Sequence, residues 1–563
     1  MSTTPRKWLG VAGLGLLTLA AFVLRVWHLD VPTITHPEAY APGIPFPVFA
    51  ENPIARHTFT DIVRSTLTSD NHPPGYYFLL LPWTRLFGAS LFALRLPSVI
   101  LGALTVPLLF ATARRTNGRW VAVISATWLA FHGHHAFWST QARMWVMCTA
   151  LVVVSVLAAV KLRERFHPAW AVIYVVSVVA GLWVEYNFWP LFAAQVIWEL
   201  AARRRADTMT PTLALQCVAL ILASPVLAFF FLRIDASEYL ESSVLEHLFY
   251  TAAFAHWFEP TVFIDSELWQ RALYVALALT GACVMLLGAL YTRESPLGHI
   301  DHTPVSHWLE WAVWLSIVGP ASFVWRWGDR LGGRRYEMLV LLVPLLVAFG
   351  YRIASLSWTM VRSAASRMFD VPIVRSVVAD SAVMHSLVPL ALLSIVHLKL
   401  PCLAPRGLLV LTPFFIVLAA RGITYVVRGT SSRAIVTAAI AAAGIGSAWY
   451  GAPPPSRDYK SLAAAIDAAR KPGDVLVIED AWYAQPLHYY LRPDMMTSYD
   501  HEALLTPDEW RLFESRVERA WVVGFGADSR RRVSELTRPF GGYREVQFVS
   551  AFEAGAVLVE RQH

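Results

Sequence analysis

The chain has 563 residues, of which 56% are hydrophobic and 15% are charged, and its mean hydropathy is +0.47. A soluble domain carries about 25% charged residues, so this composition excludes an ordinary soluble protein and predicts a polytopic α-helical membrane protein. The net charge is +7, but the arginines cluster in short loops between apolar runs, which indicates membrane orientation and not nucleic-acid binding.

The first apolar run covers residues 8–24 and follows Arg6 and Lys7. It predicts an uncleaved first span with a cytoplasmic N-terminus, the alternative being a signal peptide. Residues 25–91 are mostly polar and predict an extracytoplasmic loop. Further spans are predicted at 91–113, 120–136, 143–160, 170–184, 188–202, 212–232 and 271–291, with a second outer loop at 233–270. Basic residues occupy the turns that this order places in the cytoplasm, as the positive-inside rule requires.

The next part of the chain allows two topologies. Apolar runs occur near 308–325, 338–350, 381–398, 407–420 and 434–449. If all of them cross the bilayer, the total is about thirteen spans. If 308–325 lies in the interface and 381–398 is re-entrant, the total is about eleven and the charge rule is obeyed. Both counts place the C-terminus outside.

The composition changes after residue 450. A proline-rich linker at 451–456 precedes an alternating pattern of helix and strand, with a helix at 462–469 and strands at 475–478, 521–523 and 556–559. Residues 451–563 are therefore predicted to form a small soluble extracytoplasmic α/β domain, separate from a membrane module at 1–450.

The first outer loop contains two carboxylates in proline-rich settings. Glu38 lies in His36-Pro-Glu-Ala-Tyr40, and Asp70 begins Asp70-Asn-His-Pro-Pro-Gly-Tyr-Tyr77. Proline stiffens the backbone, and a partly desolvated carboxylate held at a membrane surface is a competent general base. The alternative is that these are ordinary loop residues.

The order of several motifs resembles the GT-C glycosyltransferases, in particular the bacterial members related to protein O-mannosyltransferases and the lipid A aminoarabinose transferase. The segment Asp70–Tyr77 resembles the second loop element of that family. An acidic motif after the first span is a further match. Three further elements match: Arg95-Leu-Pro97 at the second span, Ser139-Thr-Gln-Ala-Arg-Met144 at the fourth, and Ala404-Pro-Arg-Gly-Leu-Leu409 before the final spans. The sequence departs from the family at Pro37, where an Asp is usual, and at Gly407, where a Tyr is usual.

The resemblance implies an inverting transferase whose catalytic outer loop is 29–91. It implies a polyprenyl-phosphate sugar donor and an acceptor hydroxyl on a cell-envelope glycan, lipid or protein, at the outer face of the bacterial cytoplasmic membrane. Glu38 or Asp70 is expected to be the catalytic base, while Arg143, Arg406 and His72 are expected to bind the donor phosphate. The expected partners are donor, acceptor and lipid bilayer, without nucleic acid.

No cofactor is expected to be required, and nothing in the sequence indicates a divalent metal, although such a site could accept one. His132, His134 and His135 form a cluster in a predicted outer turn, and neutral interfacial histidines are favoured there over metal ligands. Glu185, at a span end, is a further acid with a functional or an interfacial interpretation. Two other functions remain open. A flippase for lipid-linked sugars needs ionisable residues at mid-membrane and inverted repeats, neither of which is clear in the sequence. A catalytically silent homologue is kept open by the Pro37 departure.

Overall fold

The computed structural model describes residues 4–39 and 457–562, each with short gaps. It also describes residues 58–68, 72–202, 210–226, 285, 380–397, 406–427 and 429–450. These residues form a helical module and a C-terminal α/β domain. The predicted outer loop at 233–270 and the apolar runs near 308–325 and 338–350 lie outside the described residues, as does most of the span predicted at 271–291. The total number of spans therefore stays a prediction.

The longer helices of the module follow the apolar runs of the sequence, and shorter ones lie in the loops between them. They are α1 (Thr4–Val26), α2 (His36–Ala39), α3 (Phe59–Thr68), α4 (Gly75–Phe87), α5 (Leu91–Thr116), α6 (Arg119–Ala130), α7 (Gly133–Ser139), α8 (Trp145–Glu164), α9 (Pro168–Val184), α10 (Phe188–Ala202), α11 (Pro211–Ala223), α12 (Ser381–Met384), α13 (Leu387–His397), α14 (Thr412–Val426) and α15 (Thr430–Tyr450). Among the described residues, three helical segments are long and apolar enough to cross a membrane: Leu91–Thr116, Trp145–Glu164 and Gly407–Val426.

The first loop is more helical than its composition predicts. It contains α2, α3 and α4, and α4 begins at Gly75, where an added Cβ would lie 2.5 Å from the carbonyl oxygen of Trp183. Glycine is therefore required for this close approach to the end of α9. We call the end of the bundle that carries α2, α4 and α7 the loop end.

Asp380 and Arg406 lie at opposite ends of the bundle. Helix α5 starts at the loop end and is about 39 Å long, so Asn117, which follows it, lies at the opposite end. Arg421 donates hydrogen bonds to both Asn117 and Asp380, which places Asp380 at that opposite end. Arg406 lies at the loop end, against the first residue of α8. This placement of Asp380 and Arg406 favours a crossing segment at 381–398 over the re-entrant interpretation, which stays a prediction.

The C-terminal domain is a five-stranded mixed sheet with helices on both faces, which confirms the predicted α/β pattern. Its elements are α16 (Tyr459–Ala469), β1 (Val475–Ile478), α17 (Ala484–Tyr490), β2 (Ser498–Asp500), α18 (Pro507–Arg516), β3 (Arg519–Phe525), α19 (Ser529–Leu536), β4 (Tyr543–Ala551) and β5 (Ala554–Arg561). The strand order is β2-β1-β3-β5-β4, with β1 parallel to both β2 and β3, and β5 antiparallel to both β3 and β4. Separate apolar clusters cover the two faces of the sheet.

Candidate functional site

A buried ion pair fastens the first loop to the bundle. Glu38 lies in α2 and Arg95 in the first turns of α5, and both side chains are 0% exposed. The Arg95 guanidinium donates from Nε to Glu38 Oε1 at 2.8 Å and from Nη2 to Oε2 at 2.7 Å. It also donates to the carbonyl oxygens of Leu29 at 2.8 Å and Thr33 at 3.0 Å. Arg95 thus joins three points of the loop to α5 through charge-assisted bonds.

Glu38 accepts further hydrogen bonds from the protein. Its Oε2 accepts from the backbone amide and the hydroxyl of Thr35 at 2.9 and 3.0 Å, and its Oε1 accepts from the amide of Ala142 at 2.7 Å. Burial raises the pKa of the Glu38 carboxyl, but the charge and hydrogen bonds of Arg95 and the backbone amides outweigh burial and hold that pKa below its usual range.

This environment corrects the expected role of Glu38. A general base needs a lone pair directed at the acceptor hydroxyl and a proton affinity suited to accepting its proton. Both oxygens of Glu38 are instead occupied by donors, and the carboxylate is closed to solvent. We therefore assign Glu38 as a positioning residue that connects the first loop to Ala142.

The two arginines expected to bind phosphate meet at one aromatic ring. Arg143 lies just before α8, and Arg406 lies just before a 3₁₀ turn at Gly407–Leu411. Their Cζ atoms are 5.2 and 5.5 Å from the ring centroid of Trp145, the first residue of α8. Two guanidinium groups beside one buried indole concentrate positive charge at the loop end, which favours a bound anion.

His72 lies on the same side of the bundle as these arginines. Its ring centroid is 6.1 Å from that of Trp145, in an edge-to-face arrangement. Its Nδ1 is 3.1 Å from Oε2 of Glu185, and the two side chains are 22% and 5% exposed. Glu185 therefore orients an imidazole that solvent can reach. The other oxygen of this carboxylate, Oε1, accepts a long hydrogen bond of 3.4 Å from the amide of Asn187.

Tyr77 completes this side of the site. Its phenol oxygen accepts from Nη1 of Arg143 at 3.4 Å, and its side chain is fully buried. The Asp70-to-Tyr77 string thus reaches the arginine site through His72 and Tyr77. Asp70 itself lies outside the described residues, so its expected role as a base stays a prediction.

Two of the three histidines of the predicted outer turn, His132 and His135, make structural hydrogen bonds. The ring of His132 accepts from the amide of His135, at the start of α7. Nδ1 of His135 is 3.1 Å from Nη2 of Arg25, which also donates to the carbonyl oxygens at the end of α6. No group of metal-ligating side chains occurs in the parts of the chain that the structure describes.

Sequence reasoning missed two components of this site. Arg95 was noted only as part of a motif, and Trp145 was not singled out. A single arginine five residues after the N-cap of an apolar helix favours a partner carboxylate, which is a usable signal for Arg95. Trp145 carries no such signal, because 23 tryptophans occur in the chain.

Part of the chain is similar to a known protein family. Residues 71–229 match the model of the dolichyl-phosphate-mannose-protein mannosyltransferase family. The resemblance to the GT-C glycosyltransferases inferred from the motifs is thereby confirmed for this part, which contains His72, Arg95, Arg143, Trp145 and Glu185. No curated protein matches the chain in sequence.

Solved structures show weak similarity over almost the whole chain. ArnT from Cupriavidus metallidurans in the apo state has 13% identity and a TM-score of 0.43, covering 98% of each chain. The same protein bound to undecaprenyl phosphate has 13% identity and a TM-score of 0.42, covering 97% of this chain and 98% of its own. The oligosaccharyltransferase AglB from Archaeoglobus fulgidus, in complex with an inhibitory peptide and a dolichol-phosphate, has 11% identity and a TM-score of 0.44, covering 99% of this chain and 74% of its own. These values are too low for residue roles to be transferred.

Proposed function

We propose that this protein is a membrane glycosyltransferase that moves a sugar from a polyprenyl-phosphate donor to a hydroxyl group of a cell-envelope glycan, lipid or protein. The observation that carries the proposal is the convergence of Arg143 and Arg406 on Trp145, beside the His72–Glu185 pair. The match of residues 71–229 to a family named for a lipid-phosphate sugar donor supports it.

The arginines are proposed to hold the donor phosphate. As the bond between the anomeric carbon and the phosphate oxygen breaks, negative charge grows on the phosphate. Guanidinium groups form charge-assisted, bidentate hydrogen bonds with phosphate, so Arg143 and Arg406 stabilise this charge more as it develops. Burial of Arg143 strengthens the effect, because a site shielded from water has a low effective dielectric.

The acceptor hydroxyl needs a base on the face of the sugar opposite the phosphate. In a single inverting displacement, the acceptor oxygen attacks the anomeric carbon, its proton passes to the base, and the lipid phosphate departs. Asp70 remains the sequence-based choice for this base. The described residues offer a second choice, His72, whose imidazole is oriented by Glu185 in the manner of a carboxylate–histidine pair.

The proposed location is the bacterial cytoplasmic membrane, with the N-terminus inside and the loop end outside. Arg114, Arg115 and Arg163 lie at the end opposite to the site, as the positive-inside rule requires of a cytoplasmic face. A cysteine at Thr116 should then be protected from an impermeant thiol reagent in intact cells, whereas one at Ser456 should react. Labelling at Thr116 alone would reverse the orientation.

The placement of charged residues favours transfer over flipping. In the described part of the chain, the buried ion pair Glu38–Arg95 and the partly buried pairs Asp380–Arg421 and Glu199–Arg163 lie near the ends of the bundle. A transporter of the type considered would place ionisable groups near the middle of the bilayer. An assay of sugar transfer tests the silent-homologue hypothesis.

The test is transfer by the purified protein in detergent from a panel of polyprenyl-phosphate sugars to extracted envelope lipids and glycans, followed by mass spectrometry. A product whose mass increases by one sugar is expected with one of the donors. Envelope glycans from cells with and without the gene identify the acceptor. Absence of transfer with every donor, together with unchanged envelope glycans, would support the silent-homologue hypothesis instead.

A further inference from the structure

The C-terminal domain contacts the helical module through a pair of adjacent tyrosines at the end of α17. The phenol oxygen of Tyr490 accepts a hydrogen bond of 2.7 Å from the backbone amide of Ile34. The hydroxyl of Tyr489 donates a bond of 2.8 Å to the carbonyl oxygen of Ala89. Ile34 is fully buried, so its amide has no access to water as a replacement acceptor.

These contacts surround the ion pair of the first loop. Thr33, whose carbonyl oxygen accepts from Arg95 at 3.0 Å, also donates its hydroxyl to the carbonyl oxygen of Arg457 at 2.8 Å. Ala89 immediately precedes Ser90, which caps α5, the helix that carries Arg95. The C-terminal domain therefore holds the loop on one side, while Arg95 and Glu38 hold it on the other.

The same loop is connected to the phosphate site by one more hydrogen bond. Glu38 accepts from the amide of Ala142 at 2.7 Å, and Ala142 directly precedes Arg143. The connection runs from Tyr490 to Ile34, through the turn that Thr35 and Glu38 form, and on to the backbone that carries Arg143. A loop that loses one of its anchors would allow this backbone to shift.

We propose that the C-terminal domain is a positioning element of the donor site, with Tyr490 as the positioning residue that keeps residues 33–38, and through them Arg143, in the binding arrangement. The inference rests on the proposed function. It assigns the soluble domain a part in donor binding, although none of the proposed phosphate ligands lies among the described residues of that domain.

The test compares Tyr490→Phe with Tyr543→Phe in the full-length protein, with undecaprenyl phosphate as the probe. Tyr543 is a matched control, because its phenol donates to the carbonyl oxygen of Val517 at 2.6 Å inside the C-terminal domain, away from the loop. Tyr490→Phe leaves the buried Ile34 amide without its acceptor, which should weaken binding of the probe about tenfold. It should also speed amide exchange in residues 33–39, whereas Tyr543→Phe should change neither quantity.

The outcomes separate this inference from the proposed function. If Tyr490→Phe binds the probe as tightly as the unmodified protein while Arg143→Ala binds it weakly, the positioning role is wrong and the phosphate site stands. Equal weakening by Tyr490→Phe and Tyr543→Phe would also overturn the inference, since general destabilisation of the domain would then explain the effect. If Arg143→Ala and Arg406→Ala both leave binding unchanged, the proposed function itself fails.

Discussion

Glu38 and Arg95 form an ion pair that excludes solvent from both partners, with donor–acceptor distances of 2.7 and 2.8 Å. Desolvating two charges is costly, and a buried pair is retained only where geometry and additional hydrogen bonds compensate. Here the compensation comes from backbone groups of the first loop, so the pair defines the shape of that loop. The geometry of the Glu38 carboxylate therefore favours a role in the loop structure over a role as the catalytic base.

The variant Glu38→Gln should destabilise the protein strongly. It leaves the Arg95 charge buried and without its counter-ion, which typically costs about 3–5 kcal/mol. The expected result is a lower temperature of thermal unfolding in detergent. The double variant Glu38→Gln/Arg95→Met removes both charges and should recover part of the loss. Unchanged stability of Glu38→Gln combined with lost turnover would restore Glu38 as the base.

Helix α17 should lose protection as the pH falls from about 7 to about 5. Burial lowers the pKa of His488 to about 4, so its neutral form is the one compatible with the fold. In the unfolded state His488 binds the proton near pH 6.5. The contribution of its neutral form to the free energy of unfolding is therefore complete above that pH and is lost as the pH falls toward about 4. A loss of about 2 kcal/mol by about pH 5 follows from this shift.

The measurement for His488 is hydrogen exchange of α17 in the full-length protein, corrected for the intrinsic pH dependence of exchange. The variant His488→Gln should show no such pH dependence. The explanation fails if α17 in the unmodified protein is equally protected at both pH values.

The sequence predicted the elements that depend on local pattern. The run at 188–202 and the strand at 475–478 coincide with α10 and β1, because continuous apolar residues between clear breakers determine both. The strand β4 was missed, since most of its residues are exposed and it lacks an apolar signal. Helix α4 was assigned to a polar loop, since its charged and proline neighbours hid its apolar residues.

For the site, too, the sequence predicts what depends on local motifs and not what depends on contacts between distant residues. Arg143, His72 and Arg406 were predicted to act together, and the structure brings all three to Trp145. The role of Glu38 could not be predicted, because its partner Arg95 is distant in the chain. Only the three-dimensional structure, which brings Glu38 of α2 to Arg95 of α5, shows that the two charges neutralise each other.

The C-terminal domain should fold without the membrane module. Residues 457–562 contain apolar clusters on both faces of a complete sheet, and their described contacts with the module are few. A fragment that starts at Ser456 should be soluble, unfold cooperatively in urea and show no transfer. An insoluble fragment would mean that the module is needed to complete its core, and an active one would move the catalytic site out of the first loop.

The identity of the base should follow from three amide substitutions. General base catalysis contributes about 10²–10⁴-fold, so removal of the base should lower kcat by that order with little change in protein level. Asp70→Asn tests the sequence-based choice, while His72→Gln and Glu185→Gln test the pair. If the pair supplies the base, His72→Gln should lower kcat by that order, and Asp70→Asn should retain activity. Full activity of all three variants would place the base elsewhere.

The central claim is that Arg143 and Arg406 bind the phosphate of a polyprenyl-phosphate sugar, and the most direct measurement is kcat/KM of transfer for arginine variants. Arg143→Ala and Arg406→Ala should each lower kcat/KM about 10- to 100-fold, because each removes a charge-assisted hydrogen bond to the departing phosphate. Arg114→Ala is the control, since Arg114 is an exposed arginine 6.0 Å from the ring of Phe110 at the opposite end of the bundle. Its kcat/KM should equal that of the unmodified protein. If all three variants transfer sugar at the same rate, Arg143 and Arg406 do not bind the donor and the account is contradicted.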